Sequence, residues 1–240
     1  MDIDLYGEIE RRKSCRKFTD EPLSDVQLQE VEVAMRGFDL LYPELTFTHR
    51  LATEVKGMFV VRAPHYLIVS GQGRPHELES AGFLLEQLIL WFSARAVGCV
   101  WQGGAKSVDK DLNGNDLIII AFGVPKKPPY RELVEFDRKP IDSITNAPDD
   151  PCMQAVHLAP SGMNLQPWYL EQTSANEVLL YKQKLSAPQG LIYKLADLDL
   201  GIALCHYALA CKHLGKPFAF EATTDLPAKK GYIPFGVIIS

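Results

Sequence analysis

Two kinds of hydrophobic spacing take turns along this chain, and their order sketches most of its elements. Leu5 and Ile9, flanked by Tyr6, give a short amphipathic helix over residues 4–12. Ser24-Asp25-Val26-Gln27 is a capping-box start for a helix running to about Arg36. Strand character follows over residues 45–50 and 59–70, the second run carrying Val60, Val61, Tyr66, Leu67, Ile68 and Val69. Residues 79–97 read as a central helix ended by Gly98. Its apolar run is broken by Glu86, Gln87 and Arg95, so it predicts a buried helix and not a membrane span. Residues 99–104 read as a loop with two adjacent glycines, and residues 117–122 as a continuous apolar strand.

The pattern then lapses. Residues 126–150 contain Pro128, Pro129, Pro140 and Pro148 among alternating charges, the profile of a linker. A second set of elements follows: a helix over 150–158, strands over 168–172 and 177–182, a small-residue helix over 196–214 ended by Gly215, and a strand over 232–240. The two sets look like copies. Residues 34–39 fall on 159–164, Gly98 on Gly215, and Phe122-Gly123-Val124 on Phe235-Gly236-Val237. The offsets shrink in order (159−34 = 125, 215−98 = 117, 235−122 = 113), as shorter loops in the second copy require. Two halves are expected, residues 1–140 and 141–240, with the junction between about Pro125 and Asp150.

Composition narrows the function. A chain of 240 residues, 47% hydrophobic, can bury a substantial core. A net charge of −5 without a long basic run argues against a nucleic-acid or anionic-membrane partner. The start of the chain, Met1-Asp2-Ile3-Asp4, lacks an apolar signal core, and five cysteines with no Cys-x-x-Cys pair read as reduced thiols. A cytoplasmic protein is expected. His157, His206 and His213 have no ligand spacing, so no metal is expected. No Ser-His-Asp set or carboxylate pair offers catalytic residues.

The most distinctive chemistry lies at Pro160-Ser161-Gly162-Met163-Asn164-Leu165-Gln166-Pro167-Trp168. Pro160 stops an apolar run, and Ser161-Gly162 gives a turn with a hydroxyl and an unhindered backbone amide. Asn164 and Gln166 each donate and accept, which suits a flat polar heterocycle. On this segment alone, a tight turn whose amides satisfy local backbone is the simpler reading. The other candidate is the cationic run Arg11-Arg12-Lys13-Ser14-Cys15-Arg16-Lys17-Phe18. Its guanidinium forks suit a phosphate, and a solvated helix end would use the same residues.

Taken together these pieces resemble the FMN-dependent nitroreductase family. The resemblance rests on Arg12-Lys13-Ser14-Cys15-Arg16-Lys17-Phe18, on Gly98-Cys99-Val100-Trp101-Gln102-Gly103-Gly104, on Phe122-Gly123-Val124-Pro125 with its basic followers, and on the Pro160–Trp168 stretch. Family chains carry the arginine-serine-arginine and proline-serine-asparagine pieces in one short chain, which dimerises around two FMN sites. Here the first piece occurs only in the first half and the second only in the second half, so the chain is similar to the single-chain "putative TM nitroreductase" branch. The resemblance implies an α+β, nitroreductase-like fold of two similar α/β halves forming an internal pseudo-dimer. It implies one FMN per chain in a monomer, with NAD(P)H as electron donor.

By the same resemblance Arg12, Lys13, Ser14 and Arg16 hold the FMN phosphate, ribityl chain and pyrimidine edge. Trp101, Gln102, Gly103 and Gly104 offer backbone amides to the flavin, although a simple turn after the helix would look alike. Pro160, Ser161, Gly162, Asn164 and Gln166 complete the site, and Lys126, Lys127 and Arg131 are candidates for a second phosphate clamp or for a solvated linker. Cys15 is expected to fill space and not to react. The implied activity is NAD(P)H-dependent reduction of nitroaromatics, quinones or similar electron-poor acceptors. A flavin-binding sensor or carrier without turnover is the alternative, and a relic that binds no flavin is a third.

Overall fold

The computed structural model describes residues 3–109, 115–186 and 195–240. The chain divides into two units, Met1–Leu133 and Val134–Ser240. In the first, α1 (Leu5–Ile9) is capped by Asp4, whose carboxylate accepts the Tyr6 and Gly7 amides. The capping box forms as its residues dictate: Ser24 and Gln27 exchange side-chain and backbone bonds at the start of α2 (Asp25–Gly37). Then come β1 (Thr48–Ala52), β2 (Val55–Gly57), β3 (His65–Ser70), α3 (Glu77–Ala94), β4 (Gly98–Trp101), β5 (Ala105–Ser107) and β6 (Asp116–Gly123). One four-stranded sheet runs β1-β3-β6-β4, every pair antiparallel, and β2 with β5 makes a separate ribbon. α3 is buried from Glu79 to Ser93, which explains its all-round apolar sequence.

The second unit contains α4 (Pro151–His157), β7 (Trp168–Ser174), β8 (Glu177–Gln183), α5 (Ala196–His213), β9 (Ala219–Ala222) and β10 (Tyr232–Ile239). Its sheet runs β7-β8-β10-β9, again antiparallel throughout. Counting each sheet's strands in chain order, both units read 1-2-4-3, with an 18-residue helix between the second and third strands. The fold is thus the mixed α/β architecture expected, with one strand order used twice.

Several boundaries move, each for a local reason. Residues 59–64 do not extend β3, because Phe59 takes a left-handed φ of 59° and Pro64 has no amide to donate. α3 ends at Ala94, and Gly98 opens β4 instead of ending the helix. Its reversal is made by Ala96 (φ 55°), with Val97 N–H bonded to Phe92 O. α5 closes with the same motif, Gly215 (φ 68°) in the left-handed position and Lys216 N–H bonded to Cys211 O. Gly215 therefore corresponds to Ala96, not to Gly98. The pairing of Gly123 with Gly236 fails likewise: Gly123 faces the first residue of β4, whereas Gly236 faces the last of β9. Residues 99–101 are a strand, not a loop, and β9 is an edge strand that its short, half-exposed sequence conceals.

His65 links sheet and loop: its Nε2 accepts the Leu23 amide at 2.9 Å, and burial pushes its pKa below the ordinary histidine value of 6.5. The neutral ring is the form that accepts. Its contribution is present above pH 6.5 and fades as pH falls below that value, since only the unfolded chain takes up the proton readily. Urea denaturation of the parent and of His65→Gln is expected to show a larger stability gap at pH 7.5 than at pH 5.5, by about 1 kcal/mol. An equal gap at both values would contradict it.

Candidate functional site

The cationic run of the first unit is not a helix end. Beyond Arg12 it becomes an extended strap laid antiparallel to residues 124–131, the stretch read as linker. Arg131 N–H bonds to Arg11 O, Lys13 N–H to Pro129 O, Lys126 N–H to Lys17 O and Thr19 N–H to Val124 O, all at 2.9–3.1 Å. Bridges Arg12–Tyr130 and Phe18–Pro125 complete the pairing. Cys15 N–H also reaches Cys99 O of β4 at 2.9 Å. Here Gly98 earns its place: a Cβ on it would lie 2.7 Å from Cys15 Sγ and 3.0 Å from Pro125 Cβ. The glycine lets strap and partner close over the start of β4. Cys15 fills that space, and burial raises its thiol pKa, so it is not primed as a nucleophile.

The strap sorts its cations by side. Lys13, Arg16 and Lys127 are exposed and Ser14 is half-buried. Arg131 donates Nε–H to Arg12 O at 2.9 Å, tying the two segments. Arg12 differs from the role given to it by resemblance. Its side chain is 3% exposed and its Nε lies 3.7 Å from Glu86 of α3, itself fully buried. A guanidinium so placed is an interior ion-pair partner that pins strap to helix, and its Nε and one terminal nitrogen are buried without a hydrogen-bond partner among the described residues.

Trp101 to Gly104 also serve the fold. Gln102 is buried, its N–H bonded to Ile119 O and its side-chain oxygen to Val61 N–H. Gly104 lies against the β2 end: a Cβ there would meet Met58 O at 2.9 Å. Gly103 occupies the turn before β5. Gly104 thus gives close approach to protein backbone. Trp101 keeps a buried indole N–H with no acceptor among the described residues.

In the second unit the Pro160–Trp168 stretch forms a strained turn. Met163, Asn164 and Gln166 take φ of 53°, 56° and 42°, three left-handed non-glycine residues within four positions. Such conformations cost about 1–3 kcal/mol each and persist only where the surroundings impose them. The surroundings do. Gly162 N–H bonds to both carboxylate oxygens of Asp199 (3.1 and 3.2 Å), and Gln166 N–H to Ser161 Oγ at 2.8 Å. Asn164 accepts from Arg138 at 3.0 Å and donates to Asp137 O at 2.9 Å. Gln166, 1% exposed, accepts the Lys139 amide at 3.0 Å and donates to Asn164. His157 Nε2–H donates to Lys139 O at 2.7 Å, holding that segment in turn. Burial keeps the Lys139 ammonium below the usual lysine range while it reaches Gln183 at 3.0 Å.

FMN is the group the resemblance implies, and the residues expected to hold it fare differently in the two units. At the phosphate end Lys13, Ser14, Arg16 and Lys127 form an accessible donor set of the right charge. In the second unit the expected groups are already engaged. The Gly162 amide is not unhindered, and both amide side chains are engaged within the second unit, because segment 137–139 presents the donors and acceptors they would offer a heterocycle. Pro160 is buried behind the turn and Ser161 is spent on Gln166. The residues missed from sequence are Arg138, Lys139 and Asp199. The only hint of Asp199 was a carboxylate set between Leu198 and Leu200 at the start of a mostly apolar helix.

The comparisons with known proteins agree with this architecture. The family model described as "Putative TM nitroreductase" matches residues 4–211. A solved structure from Thermotoga maritima, titled a putative nitroreductase, superposes over 100% of this chain and 94% of its own at 20% identity and a TM-score of 0.66. A nitroreductase family protein from Clostridium difficile covers 60% of this chain and 96% of its own, at 18% identity and a TM-score of 0.45. A nitroreductase-like protein from Bacillus cereus covers 60% and 95%, at 16% identity and a TM-score of 0.47. No curated protein matches. Among the described residues no helix is long and apolar enough to cross a membrane, and no cluster of ligating side chains could hold a metal.

Proposed function

We propose that the chain, which belongs to the "Putative TM nitroreductase" family, is an FMN-dependent oxidoreductase that takes electrons from NAD(P)H and passes them to nitroaromatics, quinones or similar electron-poor acceptors. The observation that carries this reading is the strap: an accessible row of cations held rigid against β4 in a chain of nitroreductase type. Bound FMN would supply the two-electron chemistry. Lys13, Ser14 and Arg16 would bind its phosphate and ribityl oxygens, with Lys127 and Arg131 as the second clamp. Arg12 would act behind them by fixing the strap to α3. The braced turn of the second unit would be a preformed surface, its amides orienting Arg138 and Lys139. The donor, NADH or NADPH, and the acceptor are small molecules, and the protein is proposed to work in the cytoplasm.

The repeated strand order supports reading the two units as copies of one ancestral unit. On that reading each chain takes one FMN and is monomeric, which flavin release per chain combined with light scattering checks. The engagement of Asn164 and Gln166 favours a second reading, a flavin-binding protein without turnover, because fewer groups remain to tune the ring. Arg16→Ala is expected to weaken FMN binding by about 1.5–3 kcal/mol, the worth of a charge-assisted contact. Fluorescence quenching of FMN measures it. Unchanged affinity in both Arg16→Ala and Lys127→Ala would remove the strap from the site.

A further inference from the structure

We propose that the first unit carries a separate anion-binding cleft, built from Lys17, Arg62 and Lys126, that takes a phosphate group. The cleft has a volume of about 340 Å³ and is lined by these three cations with Thr19, Asp20 and the apolar patch Phe18, Ala63 and Pro64. Of the residues expected to hold FMN it contains only Lys126, a candidate for the second phosphate clamp; Lys13, Ser14, Arg16, Lys127 and Arg131 lie outside its lining. Its charges come together for a structural reason. The strap pairing sets Lys126 opposite Lys17 (N–H to O, 3.0 Å), and the segment leading into β3 brings Arg62 to the same cleft.

Like charges set opposite each other on paired strands repel, and a third cation adds to the repulsion. Among the described residues none of the three forms an ion pair, and Asp20 is the single carboxylate of the lining. Thr19 adds an independent sign: its hydroxyl oxygen is buried without a hydrogen-bond partner among the described residues. A bound oxyanion with several acceptors would answer both, screening the cations and pairing the hydroxyl. Phosphate fits this chemistry better than a carboxylate, because it offers more acceptor oxygens and more charge to three donors. The apolar wall suits a phosphate carried on an organic group as well as the free ion.

Isothermal titration at constant ionic strength, on protein saturated with FMN, tests the cleft directly. The probes are inorganic phosphate, adenosine monophosphate and adenosine. Saturable binding of the two phosphates and none of adenosine is expected. Tighter binding of the nucleotide would identify a carried phosphate as the natural ligand, and equal binding the free ion. Arg62→Ala and Lys126→Gln should each weaken binding about tenfold or more, and Lys127→Gln should leave it unchanged. All three side chains are exposed, so the fold should tolerate the changes, and if one variant fails to fold the other decides. No saturable phosphate binding, or unchanged affinity in the folded cleft variants, would overturn the proposal. Binding seen only without FMN would overturn the separateness of the cleft while leaving the flavin reading intact.

Discussion

Arg12→Met is expected to destabilise the protein by about 3–5 kcal/mol, among the largest effects of any single substitution in the strap. Arg12 and Glu86 have side chains 3% and 0% exposed, so neither charge can turn to water when its partner is lost. Removing the guanidinium leaves the Glu86 carboxylate buried beside apolar α3 neighbours without its cationic partner, and the desolvation it suffered on folding is no longer offset. Arg12 also sits at the bridge to Tyr130, so loosening it loosens the strap. The double variant Arg12→Met/Glu86→Leu should recover much of the loss, because an apolar pair of similar volume needs no compensation. Denaturant midpoints of the three proteins measure this. A loss under about 1 kcal/mol in the single variant would place Arg12 in contact with solvent or ligand, as the family resemblance alone implied.

Asp199→Ala is expected to cost about 2–3 kcal/mol and to release the turn at Gly162. Asp199 is 1% exposed, and its carboxylate takes the Gly162 amide where the chain enters three left-handed residues. Strain of that kind survives only while the bonds that impose it hold. Asp199→Asn keeps an acceptor and should lose less. Hydrogen exchange reports the difference at the turn itself: the Gly162 amide should exchange about tenfold faster or more in the alanine variant. Unchanged protection there would show that Arg138, Lys139 and Ser161 hold the turn without Asp199.

Much of the fold was legible because its signals are local. The Ser24 capping box, the buried run Val178–Tyr181 of β8 and the all-round apolar α3 each follow from residues within one element. What stayed hidden depends on residues far apart in sequence. Residues 124–131 look like a linker because prolines and charges dominate them, yet their backbone pairs with the strap more than a hundred residues earlier. Gly98 looks like a helix stop, and only the passage of Cys15 and Pro125 over it reveals why it is a glycine. The candidate site was half visible for the same reason. Its residue types announce polar chemistry, but whether Asn164 and Gln166 face a ligand or segment 137–139 is decided by where that segment lies. Arg138 and Lys139, lacking any motif, carried no local sign of their role.

The most direct measurement is anaerobic absorbance spectroscopy of the purified protein after incubation with FMN and removal of the excess. A bound flavin band that bleaches on addition of NADH or NADPH and returns on addition of menadione or a nitroaromatic is the predicted result. A protein that retains no flavin, or a bound band that neither nicotinamide nucleotide bleaches, would contradict an FMN-dependent NAD(P)H oxidoreductase.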